Sequence, residues 1–248
     1  LAITFLKAQA HLYPQLSSVK TVFTVHNLGF QGLFPAQDWH LLNLEESLFT
    51  PRYLEFHGKL NFIKGGLVFA DAITTVSPTY AEEIKNAEQG FGLEGIFQER
   101  AASLTGILNG VDYDLWNPET DKLIAGTYSA ENPSGKKICK ADLQAVFSLP
   151  QNPDIPLIGM VSRLTPQKGF DLLERALDRL ISQNIQFILL GTGERKYQEA
   201  FLQAAAKHPE KLAVKIDFND VLAHKVIAGS DIFLMPSRYE PCGLTQMY

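Results

Sequence analysis

Between residues 155 and 235, short apolar runs alternate with amphipathic stretches of helix length, and this limits the fold more than any other feature of the 248-residue chain. Residues 155–161, 185–190, 212–216 and 232–235 read as strands. The first of them is almost wholly apolar, as a strand covered on both faces should be. Apolar residues then recur at Phe170, Leu172, Leu173, Ala176, Leu177 and Leu180, the spacing of one helix face. Thr165 is placed to cap that helix, with Pro166 at its first position. Further helices are expected over 196–207 and 219–228. Strand followed by helix at this interval requires right-handed crossovers and a parallel sheet.

The first half follows the same plan less cleanly. Strands are expected at 21–25, 72–76 and 103–108, and helices at 2–12, 60–69, 79–87 and 93–101. Ser77-Pro78-Thr79 reads as a cap with a first-turn proline, and Glu82 and Glu83 suit the positive start of a helix. From 113 to 153 the pattern lapses into Trp116-Asn117-Pro118 and Asn132-Pro133-Ser134-Gly135. A domain boundary is therefore expected near 112–120, dividing the chain into 1–115 and 116–248, with a short helix around 136–147 in the second part. The fold class is α/β.

A formal charge of −5 leaves no broad basic surface, which argues against nucleic acid or an anionic membrane as partner. The two cysteines, Cys139 and Cys242, are too few for a disulfide framework, and a reducing cytoplasm is the simplest compartment. No run approaches the ~18 apolar residues of a membrane span. The opening Leu1-Ala2-Ile3-Thr4-Phe5 lacks the basic start of a signal peptide and reads as a helix entered partway. Tyr248 falls inside what reads as another helix, so the chain is expected to be cut at both ends.

Chemistry-bearing residues follow the strands. His26-Asn27 comes after the first, Ser77 after the second and Asn109-Gly110 after the third. In the second half the followers are Arg163 and Lys168, then Gly191-Thr192-Gly193, then Phe218, then Ser237 through Glu240. Each belongs to the carboxyl edge of a parallel sheet, where open α/β folds bind ligands. Two cations, then a carboxylate followed by Pro241-Cys242-Gly243, suit a pocket that grips a diphosphate and orients a sugar. Plainer readings stand beside this one: exposed charges for Arg163 and Lys168, a strand-ending turn for Gly191 and Gly193, a satisfied buried side chain for His26, and core for Phe218. A lysine at a helix start opposes the helix dipole, which favours an anion shared by Arg163 and Lys168. Asp38-Trp39-His40 lacks clustered partners, so no metal is expected. Cys242 has no neighbouring base to make it a nucleophile, and Lys64-Gly65-Gly66-Leu67 lies in a helical run.

Several segments taken in order resemble bacterial glycogen synthases and starch synthases. They are Thr24 through Gly32 (Thr-Val-His-Asn-Leu-Gly-Phe-Gln-Gly), Thr75 through Ala81, Gly106 through Asp112, Trp116-Asn117-Pro118, Ser162 through Gly169, and Ser237 through Tyr248. The resemblance covers nearly the whole chain. It implies a GT-B fold of two Rossmann-like domains facing a cleft, both incomplete here, and a retaining transferase acting by front-face attack. ADP-glucose would be the donor, an α-1,4-glucan (glycogen or starch) the acceptor, and no cofactor would be needed. A plastid replaces the cytoplasm for a plant or algal source. By the resemblance, Arg163 and Lys168 hold the diphosphate, Glu240 holds glucose hydroxyls and balances charge at the anomeric carbon, and His26 reaches the sugar with Asn27 and Asn109 nearby. Gly191, Gly193, Cys242, Gly243, Leu244 and Thr245 line the donor, and Phe218 stacks on adenine where family members often carry tyrosine. Relatives carry an N-terminal Lys-x-Gly-Gly loop with no counterpart in these residues, so the 248-residue chain alone is expected to be inactive. An epimerase of the same architecture and a non-catalytic nucleotide- or glucan-binding remnant are the competing readings.

Overall fold

The computed structural model describes every residue from Leu1 to Tyr248. It divides into two compact units, Leu1–Gly110 with Pro241–Gly243, and Val111–Glu240 with Leu244–Tyr248.

The first unit opens with α1 (Ala2–Ala8), followed by β1 (Val22–Val25), β2 (Leu33–Pro35), β3 (Glu55–Phe56) and β4 (Lys59–Asn61). Next come α2 (Phe62–Phe69), β5 (Ala72–Thr75), α3 (Pro78–Glu83), α4 (Ala87–Gly90), α5 (Glu94–Glu99) and β6 (Leu104–Gly106). Strands β1, β5 and β6 form a parallel sheet in that order. The sequence pattern missed a second sheet, the antiparallel β2-β4-β3, because its strands are only two or three residues long and show no usable alternation.

Side-chain caps fix where two of these helices begin. Asn61 Oδ1 accepts from Lys64 N at 2.9 Å to start α2, and Ser77 Oγ accepts from Tyr80 N at 3.0 Å to start α3. The expected helix over 60–69 therefore loses its first two residues to β4. Helix α3 ends at Glu83, so Glu82 and Glu83 lie in its last turn, not at its positive end. Lys64, buried on α2, donates to the carbonyls of Pro51 and Glu55 at 2.5 and 2.6 Å. Its ammonium is occupied in holding the β2–β3 connection, and burial lowers its pKa.

The second unit contains α6 (Gly135–Val146), β7 (Leu157–Val161), α7 (Phe170–Ser182), β8 (Gln186–Leu190), α8 (Arg195–Lys207), β9 (Leu212–Lys215), α9 (Asp220–Gly229) and β10 (Ile232–Phe233). Its parallel sheet runs β10-β7-β8-β9. Alternate residues of β8 serve two cores. Phe187 and Leu189 pack with Phe170, Leu173, Leu177 and Phe201, while Ile188 and Leu190 pack with Leu143, Phe147 and Val226. Both faces are covered, which is why residues 187–190 are continuously apolar. Each of these fully buried side chains contributes about 1.5–3 kcal/mol.

Strand order explains where a ligand would sit. From β7 the chain moves outward through β8 to β9, then returns to add β10 on the other side of β7. The carboxyl ends of β7 and β10 thus flank a topological switch point, the crevice that open α/β sheets use for binding. No helix is long and apolar enough to cross a membrane.

Candidate active site

Arg163 and Lys168 follow β7, and Ser237 and Glu240 follow β10, so the switch point collects them. The turn after β7 differs from the expected capped helix. Pro166–Lys168 is a single 3-10 turn, Thr165 makes no side-chain cap, and Gly169 interrupts before α7 with φ of 75°. Lys168 therefore does not sit on an α-helix start against a dipole. Gly169 is there for space as well as conformation, since a Cβ would lie 2.0 Å from the carbonyl oxygen of Pro236. The two loops touch at that point.

Side chains and backbone stitch them further. Lys168 Nζ donates to Glu240 Oε1 at 2.5 Å, and Ser237 Oγ donates to the same oxygen at 2.6 Å. Arg238 N donates to the carbonyl of Gln167 at 2.9 Å. The Arg238 guanidinium pairs with Asp171 on α7, and its hydrogen bond holds the Asp171 carboxyl below the usual carboxylate range.

Gly191 and Gly193 are likewise placed by backbone packing. Leu164 N donates to the carbonyl of Thr192 at 2.8 Å, Glu194 N donates to that of Leu164 at 2.9 Å, and Leu164 and Gly193 form a parallel bridge. A Cβ at Gly191 would fall 1.8 Å from the carbonyl oxygen of Ser162. The glycine turn lets the loop after β8 lie directly on the loop after β7.

Two cavities adjoin here and share Val161, Ser162, Arg163 and Thr245. One, of about 290 Å³, is lined by Trp116, Gly191, Asp217, Phe218, Asn219 and Tyr248 among others. The other, of about 190 Å³, adds Lys168 and Ser237. An aromatic-walled lobe beside a cationic lobe suits a base and its phosphates. Phe218 is 86% exposed, so it is not a core residue. Leu244 and Thr245 begin a 3-10 turn, Leu244–Met247. Trp116 stacks on His224 at 3.6 Å between ring centres and on Tyr248 at 3.9 Å. His224, buried, meets Asp121 at 2.6 Å.

The remaining candidates belong to the first unit. His26 is exposed just after β1, and Asn27 beside it closes a tight turn by accepting from Gly29 N at 2.8 Å. Leu28 N donates to the buried Tyr80 hydroxyl at 3.1 Å, which anchors that loop to α3. Asn109 follows β6, and Cys242 and Gly243 group with this unit, where Ser77 Oγ donates to the carbonyl of Pro241 at 2.7 Å. Sequence reasoning put Ser237 on the ligand-binding edge without a role and missed Trp116 and Tyr248 as lining residues. All three lie within motifs it quoted, but none has a charge or spacing that marks a role.

Residues 1–99 match the family model for the starch synthase catalytic domain, and residues 144–247 match that for glycosyl transferases group 1. The catalytic domain of starch synthase IV from Arabidopsis thaliana, bound to ADP and acarbose, superposes with a TM-score of 0.88 and 34% identity, covering 98% of this chain and 52% of the other. The fold is thus the GT-B type. The glycogen synthase of Koribacter versatilis is 50% identical over 235 residues, 95% of this chain and 48% of the relative. That of Thioalkalivibrio sulfidiphilus is 50% identical over 246 residues, 97% of this chain and 51% of the relative. The chain belongs to the glycogen synthase and starch synthase family, and it spans about half the length of the curated relatives it matches.

Proposed function

We propose that the protein is a retaining glucosyltransferase that moves glucose from ADP-glucose to the non-reducing end of an α-1,4-glucan. Family membership supports the reaction, and the ADP found with the Arabidopsis relative supports a nucleoside diphosphate on the donor side. The observation that carries the reading within this chain is the meeting of Lys168 and Glu240 at the switch point, beside a lobe walled by Phe218.

In this reading the bond from the anomeric carbon to the diphosphate breaks and a bond to the acceptor hydroxyl forms on the same face. The acceptor proton passes to the departing phosphate. Arg163 and Lys168 balance the charge that grows on ADP, and fixed donors of this kind lower a barrier by about 3–4 kcal/mol each. Glu240 orients glucose hydroxyls and offsets positive charge at the anomeric carbon. Phe218 offers its exposed face to adenine, while Thr245 and the amides near Leu244 meet phosphate. His26, with Asn27 and Asn109, serves the sugar. Cys242 and Gly243 continue the carboxylate loop.

The test is incubation of the full-length protein with radiolabelled ADP-glucose and glycogen. Label in the polymer is the expected result. Label left in an altered free nucleotide sugar overturns transfer in favour of epimerisation, and ADP binding without either product reduces the protein to a binding module.

A further inference from the structure

We infer that Ser237 is a positioning residue for the Glu240 carboxylate, holding it in place when Lys168 turns to the donor; this rests on the functional reading above. Two donors converge on Glu240 Oε1, the Lys168 ammonium at 2.5 Å and the Ser237 hydroxyl at 2.6 Å. Both acid and base are largely shielded, with side-chain exposures of 16% and 18%. A carboxylate and an ammonium in contact neutralise each other. An ammonium committed to Glu240 cannot at the same time give its full charge to a diphosphate.

Donor binding therefore exchanges one of Lys168's partners for another. Lysine suits this role, because its ammonium is a compact charge on a flexible stem with three donors that reorient freely. Once it leaves, Glu240 would lose its orientation unless a second donor stayed. Ser237 lies three residues before Glu240 on the same loop, so its hydrogen bond does not depend on Lys168. It also lines the cationic lobe with Arg163, Lys168 and Thr245. The loop itself is pinned by Arg238, through its amide to Gln167 and its guanidinium to Asp171. With Oε1 held by serine, Oε2 is the oxygen left for a sugar hydroxyl.

The geometry separates binding from turnover. Removing the Ser237 hydroxyl leaves the cations that grip phosphate and loosens only the carboxylate. In the full-length protein, Ser237→Ala should lower kcat for ADP-glucose about 10- to 100-fold, the range spanned by a hydrogen bond to a charged group. ADP affinity by calorimetry and the melting temperature should stay near the parent values. Ser237→Thr, which keeps the hydroxyl, should restore most of kcat. If the alanine variant does not fold, Ser237→Cys, close in size but a weak donor, should show the same loss. An unchanged kcat in the alanine variant overturns the role. So does a kcat loss matched by equal loss of ADP affinity, or one that threonine fails to rescue, since either marks a structural serine. A parent protein that transfers no glucose overturns the functional reading itself, which separates the two failures.

Discussion

Lys168 Nζ and Glu240 Oε1 lie 2.5 Å apart although 72 residues separate them in the chain. Replacing either partner should affect different steps. Lys168→Ala removes a charge from the departing ADP and should lower turnover by about 10²- to 10³-fold, the loss seen when one fixed donor is removed from a developing anion. Glu240→Ala should lower turnover far more than ADP affinity, because its partner is the sugar. Steady-state rates beside ADP calorimetry check both, and a loss confined to ADP binding in the Glu240 variant would reassign that residue.

Phe218→Ala should weaken ADP binding by about 1–3 kcal/mol, the worth of one base stacked on an aromatic ring. The ring is 86% exposed, so its removal leaves no core cavity and the melting temperature should hold. Unchanged ADP affinity would put the base elsewhere.

Asp71 gives a pH signature. Lys7 donates a hydrogen bond to its carboxylate, Thr21 adds its amide and hydroxyl, and together they hold the carboxyl well below the usual range. A depressed folded-state pKa contributes stability that is complete above the unfolded value of about 3.9 and fades as pH falls below it. Asp71→Asn should therefore melt lower than the parent at neutral pH, and the gap should narrow on strong acidification. Thermal melts across a pH series check this, and a gap that widens in acid would contradict it.

Asp121 supports His224 under the Trp116 ring. Asp121→Ala leaves a buried ring nitrogen without its partner and should cost about 1–3 kcal/mol of stability. Because Trp116 also walls the aromatic lobe, the loss should appear both in denaturant unfolding and as weaker ADP binding. Full ADP affinity in a destabilised variant would confine the stack to a structural role.

The parallel sheets were legible because residues such as Ile188 and Leu190 face one core while Phe187 and Leu189 face another, and no polar position interrupts 187–190. The β2-β4-β3 sheet was not legible, since its pairing is set by Phe34, Glu55 and Leu60 meeting across a fold, not by local period. At the site, charge made Arg163, Lys168 and Glu240 conspicuous. The turn that presents Lys168 was misjudged because Pro166 reads equally well as a helix start or a 3-10 turn. Gly169 decides between them only through its contact with Pro236, which sequence cannot display. Ser237 was placed at the edge but given no role for a related reason: a serine gains meaning only from the carboxylate it touches.

Ile232 on β10 is registered against Ile158 on β7, so the last strand of the sheet closes beside the first. During synthesis, everything from β7 to α9 leaves the ribosome before that closure can occur. The carboxylate that turnover needs should then reach its place abruptly, when the final strand docks and carries it to the waiting ammonium. Acquisition of turnover would serve as a clock for completion of this half of the molecule.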